Sequence, residues 1–302
     1  MSKPLSELKI GVVGIPGKWS TEILADEIEA LTGFRCVIDI EDVVADLSVP
    51  EVRYKDHILC EFDAIIIKKI SQTYSPMVLD RLEILRFVEC CGVQIFSNPA
   101  EIIRLVDRMS CTVSLAKAQI PMPETIITED LDAAYQAVQR FGEVVLKPLF
   151  STKARGMEIL SCKTSEKKLK QQLRDYFTIH KFFYIQKKLK LPGHDMGLIF
   201  LGGEYKGAYA RVGNGSSWNT TIHSGGKYAK VEPGEEIIEM ARRAQAQFNL
   251  SYTTVDIAET DQGAVCFEVS AFGGFKGAQE GLGVNMAKQY AEYVVQQLQQ
   301  SE

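Results

Sequence analysis

The sequence is poor in the features that mark a membrane span, a disulfide scaffold or a nucleic-acid surface. No stretch reaches the roughly 18 apolar residues that a membrane helix needs, and Met1–Lys9 has no cleavable apolar segment. The seven cysteines are odd in number and lack any C-x-x-C spacing, which fits reduced, packed thiols in a cytoplasmic protein. Cys90–Cys91, beside Phe87 and Val88 at the end of a helical pattern, reads as packing. Only four histidines occur, none at metal-ligand spacing. The net charge of −5, without a long run of one sign, disfavours nucleic acid as a partner. Neither G-x-G-x-x-G nor G-x-x-x-x-G-K-[ST] is present. Gly11…Gly14…Gly17 therefore reads as a strand-to-helix turn lining a cleft, and no internal repeat or low-complexity segment appears.

With 302 residues, 46% apolar and 24% charged, the chain suits a globular protein of one large domain or two to three small ones. In the first part apolar strands (Leu8–Gly14, Phe34–Ile40, Asp63–Lys69, Val93–Phe96) alternate with helical patterns (Ser20–Leu31, Ser75–Cys91). That alternation predicts an open, largely parallel sheet. A second part starts with a helix from Pro99 that contains Asp107–Arg108, then Cys111–Ala118. It continues through strands Thr125–Ile127, Glu143–Pro148, Glu158–Ser161 and Phe182–Gln186, with helices Leu131–Phe141 and Ser165–Tyr176. The third carries strands Asp195–Leu201, Tyr205–Val212, Thr253–Glu259 and Ala264–Ser270, with helices Glu235–Phe248 and Val284–Gln299. Gly213–Gly226 reads as a long loop, a length often tied to function.

The most informative chemistry is a carboxylate pair near the C-terminus. Asp261–Gln262–Gly263 reads as a three-residue hairpin loop, which pairs 260 with 264, 258 with 266 and 256 with 268. Asp256 and Glu268 would then share one face with Cβ atoms about 4.5–5.5 Å apart. Facing carboxylates repel unless a cation lies between them, and an oxygen-only set suits Mg²⁺ carrying substrate phosphates. Lys147 ends the apolar strand Val144–Leu146, four residues before the hydroxyl- and cation-rich turn Ser151–Gly156. Together they could grip a polyphosphate. Phe183–Gln186, running into Lys187–Lys190, reads equally as a purine-edge strand or as core followed by a solvated charge run. Arg211 precedes the loop bearing Asn219, Thr220, Thr221 and His223, and an arginine there would suit a transferred phosphoryl group. His223 reads as a loop hydrogen-bonding residue. Phe272–Gly277 is glycine-rich enough to admit a ligand or simply to join strand to helix.

In this order, Asp107–Arg108, Lys147, Ser151–Gly156, Gln186–Lys187, Arg211, Asp256 and Glu268–Val269–Ser270 resemble the ATP-grasp superfamily, in the branch typified by RimK. The resemblance runs from Asn98 to Asn285; Phe272–Lys276–Gly277–Ala278 and Thr152–Gly156 further resemble the ATP-grasp member of the GAK system. The fold implied is α/β and α+β. An N-terminal parallel-sheet pre-ATP-grasp domain (1–97) would precede a two-subdomain ATP-grasp fold, central (98–188) and C-terminal (189–302). The cofactors implied are ATP and Mg²⁺, or Mn²⁺. Carried over, Arg108, Lys147, Ser151, Thr152, Lys153, Arg155 and Gly156 would hold phosphates, with Ser151–Gly156 as their lid. Gln186, Lys187 and Leu189 would line the adenine, and Asp195 would lie near ribose or acceptor. Arg211 and Lys147 would serve the chemistry, and Asp256, Glu268 and Ser270 would hold the metal. The reaction implied joins a carboxylate to an amine through an acylphosphate. Its partners would be small-molecule or peptide substrates, without nucleic acid or membrane, and self-association stays open.

Departures include Ser270 in place of asparagine, Arg108 in place of lysine and Lys187–Lys188 in place of an acidic residue. Gly197 stands where the glutamate ligase has an arginine, which opens the question of substrate. A small-molecule kinase and a nucleotide-binding regulatory or assembly protein remain alternatives.

Overall fold

The computed structural model describes residues 3–152, 154–214, 220, 222 and 225–300. The first part contains β1 (Ile10–Val13), α1 (Trp19–Thr32), β2 (Cys36–Ile38), β3 (Val44–Asp46), β4 (Glu51–Tyr54), β5 (His57–Ile58), β6 (Ala64–Ile67), α2 (Met77–Cys90) and β7 (Gln94–Phe96). The sheet β2-β1-β6-β7 is parallel throughout, as the alternation of strand and helix predicts. The fully buried Ile10–Val13 and Ala64–Ile67 explain why these strands read as unbroken apolar runs. The antiparallel meander β3-β4-β5 has no counterpart in the expectations, because its short strands are half exposed and weakly patterned.

The middle of the chain contributes α3 (Pro99–Val106), α4 (Arg108–Lys117), β8 (Thr125–Thr128), α5 (Leu131–Phe141), β9 (Glu143–Leu146), β10 (Glu158–Ser161), α6 (Glu166–His180) and β11 (Phe183–Lys187). One helix was expected to run through Asp107–Arg108. Instead the backbone is extended at Asp107 (ψ 118°), and its side chain accepts the Met109 N–H as the N-cap of a separate α4. The sheet β10-β9-β11-β8 is antiparallel and, with α5 and α6, encloses a core of its own around Val138, Leu169, Leu173 and Phe183.

The last part holds β12 (His194–Leu201), β13 (Glu204–Val212), β14 (Lys227–Lys230), α7 (Glu235–Gln245), β15 (Tyr252–Thr260), β16 (Gly263–Ser270), α8 (Phe275–Leu282) and α9 (Met286–Gln300). Its antiparallel sheet has the order β14-β13-β12-β15-β16. One face packs on α7; the other packs on α8 and α9 and shares a core with β1 and α1 of the first part, through Ile199, Tyr252, Tyr290, Ile10 and Leu24. Among the described residues no helix is long and apolar enough to cross a membrane.

Tyr209 on β13 fixes how α8 sits on the sheet. Its ring is buried opposite Gly197 of β12 and beneath Gly277 and Gly281 of α8. A Cβ at any of these three glycines would come within 3.0 Å of the tyrosine side chain. The departure at Gly197 therefore has a steric cause, since any larger residue there collides with a buried ring. Alanine at helical Gly277 would gain up to about 1 kcal/mol of helix propensity, but overpacking costs about 1–3 kcal/mol and wins. Gly277→Ala should therefore lower the unfolding free energy, measured by urea denaturation; an unchanged or raised midpoint would contradict this packing.

Candidate active site

The carboxylate pair is present, but its register arises differently from the expectation. Thr260 pairs with Gly263, so the loop has two residues, Asp261 and Gln262, rather than three. The Thr260 hydroxyl closes it by accepting the Gln262 N–H (3.1 Å) and donating to the Gly263 carbonyl (2.8 Å), while Gly263 takes φ +110°. Near the turn 258 therefore faces 265, and 257 faces 266. A bulge at Phe267 then restores the pairing of Asp256 with Glu268 and of Thr254 with Ser270. The Cys266 N–H leaves the ladder at this point to bond the Pro121 carbonyl at 2.8 Å.

These groups line a cavity of about 1100 Å³ between the β8–β11 layer, the C-terminal sheet and the first part. Lys147, leaving β9, directs Nζ to the Oε1 of buried Gln186, whose Nε2 is anchored by the Thr125 hydroxyl at 3.1 Å. Lys147 also stands 5.5 Å over the bulged Phe267 ring. Burial, with Arg108 nearby, pulls its ammonium down to about 7. Arg108 donates to the Pro148 carbonyl (3.1 Å) and the Ser151 hydroxyl (3.1 Å), and its other terminal nitrogen lies 3.5 Å from Glu268. Arg211 holds Asp195 in a two-pronged pair, reaches Asp256 at 3.0 Å, and the Thr220 hydroxyl also donates to Asp195. Burial pushes the Asp256 carboxyl up to about 7; Arg211 opposes the shift, and Glu268 and Asp195 add to it.

Nearly every residue singled out from the sequence meets here: Arg108, Lys147, Ser151, Thr152, Arg155, Gln186, Lys187, Leu189, Asp195, Arg211, Asp256, Glu268 and Ser270 all line the cavity. Gly156 does not. It takes φ +67°, and a Cβ there would come 3.1 Å from the Pro148 ring, so it shapes the Ser151–Gly156 turn rather than facing the cavity. Lys153, Asn219, Thr221 and His223 lie outside the described residues. The Lys187 N–H is taken by the Glu124 carbonyl at 2.8 Å, and its ammonium by the Glu124 carboxylate. Sequence reasoning did not single out Lys68, Lys69 and Tyr74, which also line the cavity. Two lysines closing the apolar strand Ala64–Ile67 were the available signal, because ligands in open α/β sheets bind beyond the carboxyl ends of strands.

The donor set suits Mg²⁺. Two facing carboxylates, one destabilised by burial next to the other, offer hard oxygens, and Ser270 adds a hydroxyl that also accepts the Phe272 N–H at 3.4 Å. Among the described residues no group of three or more His, Cys, Asp or Glu converges, so a bound ion would need phosphate and water oxygens to complete its shell.

The parallel first sheet, two antiparallel layers and a cation-lined cleft between them define an ATP-grasp fold. The chain belongs to the RimK-like ATP-grasp family, whose domain matches residues 106–294. It is 26% identical to a tetrahydromethanopterin:alpha-L-glutamate ligase of Methanosarcina acetivorans over 95% of this chain and 98% of that protein. It is 25% identical to the glutamate–LysW ligase ArgX of Sulfurisphaera tokodaii over 78% and 83%. Among solved structures, the ATP-grasp ligase PsnB with a precursor variant, Mg and ADP aligns at TM-score 0.75 and 17% identity, covering 97% of this chain and 99% of that one. The RimK domain ATP-grasp protein of Sphaerobacter thermophilus aligns at 0.72 and 16%, covering 94% and 98%.

The lysine shift predicts a pH response. Lys147 has a folded value below its ordinary 10.5, so the native state holds fewer protons than the unfolded one between about 7 and 10.5. Its contribution is full above that window and is lost as pH falls through about 7. Chemical denaturation should show stability rising across the window and a shallower rise in Lys147→Met. Identical slopes would contradict the burial of this charge.

Proposed function

We propose that this protein is an ATP- and Mg²⁺-dependent carboxylate–amine ligase that works through an acylphosphate. The observation that carries the reading is the convergence of Asp256, Glu268, Arg211 and Lys147 on one cleft, each held by a named partner. Relatives named as glutamate ligases make an amino acid the favoured amine.

The residues would act by position and charge. Lys147, oriented by Gln186, meets the α- and β-phosphates; Arg108 ties the Ser151 turn to the cleft wall so that the turn can cover them. The carbonyl of Lys187 and the backbone of Leu189 are left for the adenine edge, since the Lys187 N–H is engaged. Asp195 serves mainly to aim Arg211, whose guanidinium meets the transferred phosphoryl group. Asp256, Glu268 and Ser270 hold Mg²⁺, which when bound neutralises phosphate charge. A substrate carboxylate oxygen forms a bond to the γ-phosphorus as the bond to the ADP oxygen breaks. The amine then attacks the acyl carbon, phosphate leaves, and the amine's proton passes to solvent or phosphate as the amide forms.

Glu268→Gln should cut Mg²⁺-dependent ADP release by at least about 100-fold, while the melting temperature holds or rises, because one of two repelling carboxylates is neutralised. Full activity in this variant would refute the metal assignment; a collapsed melting transition would point instead to a structural role.

A further inference from the structure

The seven cysteines fall into different surroundings. Cys36, Cys111 and Cys266 are buried and closed to reagents in solution. Cys90 and Cys91, which the sequence pattern assigned to packing, are instead both exposed. Cys90 ends α2, and Cys91 caps it. Cys60, half-buried, lies in the single 3₁₀ turn Leu59–Glu61 ahead of β6.

The parallel sheet brings Cys60 and Cys91 side by side. β6 and β7 are neighbours, Ala64 stands beside Gln94, and the Gln94 N–H donates to the Asp63 carbonyl at 3.2 Å. Cys60 lies three residues before Asp63, and Cys91 three residues before Gln94. The Leu59–Glu61 turn packs against α2, and Leu59 and Val88 share one core. There the thiol of Cys91 and the sulfur of Cys60 meet in a hydrogen bond. That bond first, and partial burial second, push the Cys91 thiol up to about 11. Cys91 thus keeps its proton and directs it at Cys60. Neither sulfur is locked inside a long element: Cys60 sits in one turn, and α2 stops at Cys91, where Gly92 follows at φ +98°. The pair lies at the amino ends of β6 and β7, whereas the candidate active site opens beyond the carboxyl end of β6 and includes neither cysteine.

We propose that Cys60 and Cys91 are a modification site for peroxide-class oxidants, separate from the cleft, at which a reversible disulfide forms. In the first step the Cys60 sulfur attacks one peroxide oxygen. The O–O bond breaks, the other oxygen leaves as water with the thiol proton, and Cys60 becomes a sulfenic acid. The Cys91 sulfur then attacks the Cys60 sulfur; the S–O bond breaks, a second water leaves with the Cys91 proton, and the S–S bond forms. Two electrons pass from the thiols to the peroxide. The bond closes a loop that contains β6 and α2, with Lys68, Lys69 and Tyr74 between them, and so staples the far end of a segment that walls the cavity. Exposed disulfides of this kind are labile, and a dithiol reductant reopens them.

The test treats the reduced full-length protein with stoichiometric hydrogen peroxide, followed by intact mass and non-reducing peptide mapping. Wild type should lose two hydrogens, yield the Cys60 peptide joined to the peptide that bears Cys91, and recover both thiols in dithiothreitol. Cys90→Ser should keep this linkage, whereas Cys60→Ser and Cys91→Ser should abolish it. Cys91→Ser changes an exposed cap residue, so it decides the matter even if the half-buried Cys60 variant fails to fold. Oxidation that stops at sulfenic or sulfinic acid would overturn the proposal. So would a linkage that survives in Cys91→Ser and is lost in Cys90→Ser, or covalent dimers in place of an internal bond.

Discussion

The facing of Asp256 and Glu268 across one hairpin is the constraint on which the rest of the site depends. Each carboxylate needs a counter-charge, and the surrounding elements supply them: Arg211 from the neighbouring strands for Asp256, Arg108 from the start of α4 for Glu268. Arg211 is in turn aimed by Asp195, and Arg108 by the Pro148 carbonyl and Ser151. A local repulsion thereby organises contacts among three layers of the molecule. Because Asp256 is buried while Glu268 is about half exposed, the two acids are unequal: one is fixed and costly to ionise, the other adjustable.

Much of this was legible in the sequence, for reasons that can be assigned. Apolar runs bounded by turn residues placed the parallel strands, and helix Leu131–Phe141 has the limits that its pattern indicated. The pairing of Asp256 with Glu268 was anticipated by a count that contained two compensating errors, a loop one residue too long and a missing bulge. The bulge could not be read locally because its cause lies at Pro121, far along the chain. The break between α3 and α4 was expected a few residues too late, after Arg108, because Asp107 continues a plausible helical pattern and acts as a cap only through its backbone turn. The lysines beyond β6 escaped notice because their meaning depends on which strands become neighbours.

The glycines of α8 illustrate a different dependence. Gly277 and Gly281 lie in a segment whose composition suggests a pliant connector, yet they form a helix pressed against a buried tyrosine. Small residues here achieve close packing rather than freedom. The start of α8, which brings Gly274, Phe275 and Lys276 to the cavity, inherits its position from that contact.

The separate core of the β8–β11 layer has a mechanical implication. Its interior is closed off from the interior shared by the first and last parts of the chain, so the cleft follows a seam between two independently packed bodies. A few polar links cross the seam, chiefly those of Arg108 and the Thr112–Tyr184 hydroxyl pair, together with Phe150, which packs against the core of the other body. The joint between the two bodies thus rests on short hydrogen bonds to uncharged acceptors, which salt screens little, so its strength is nearly independent of ionic strength.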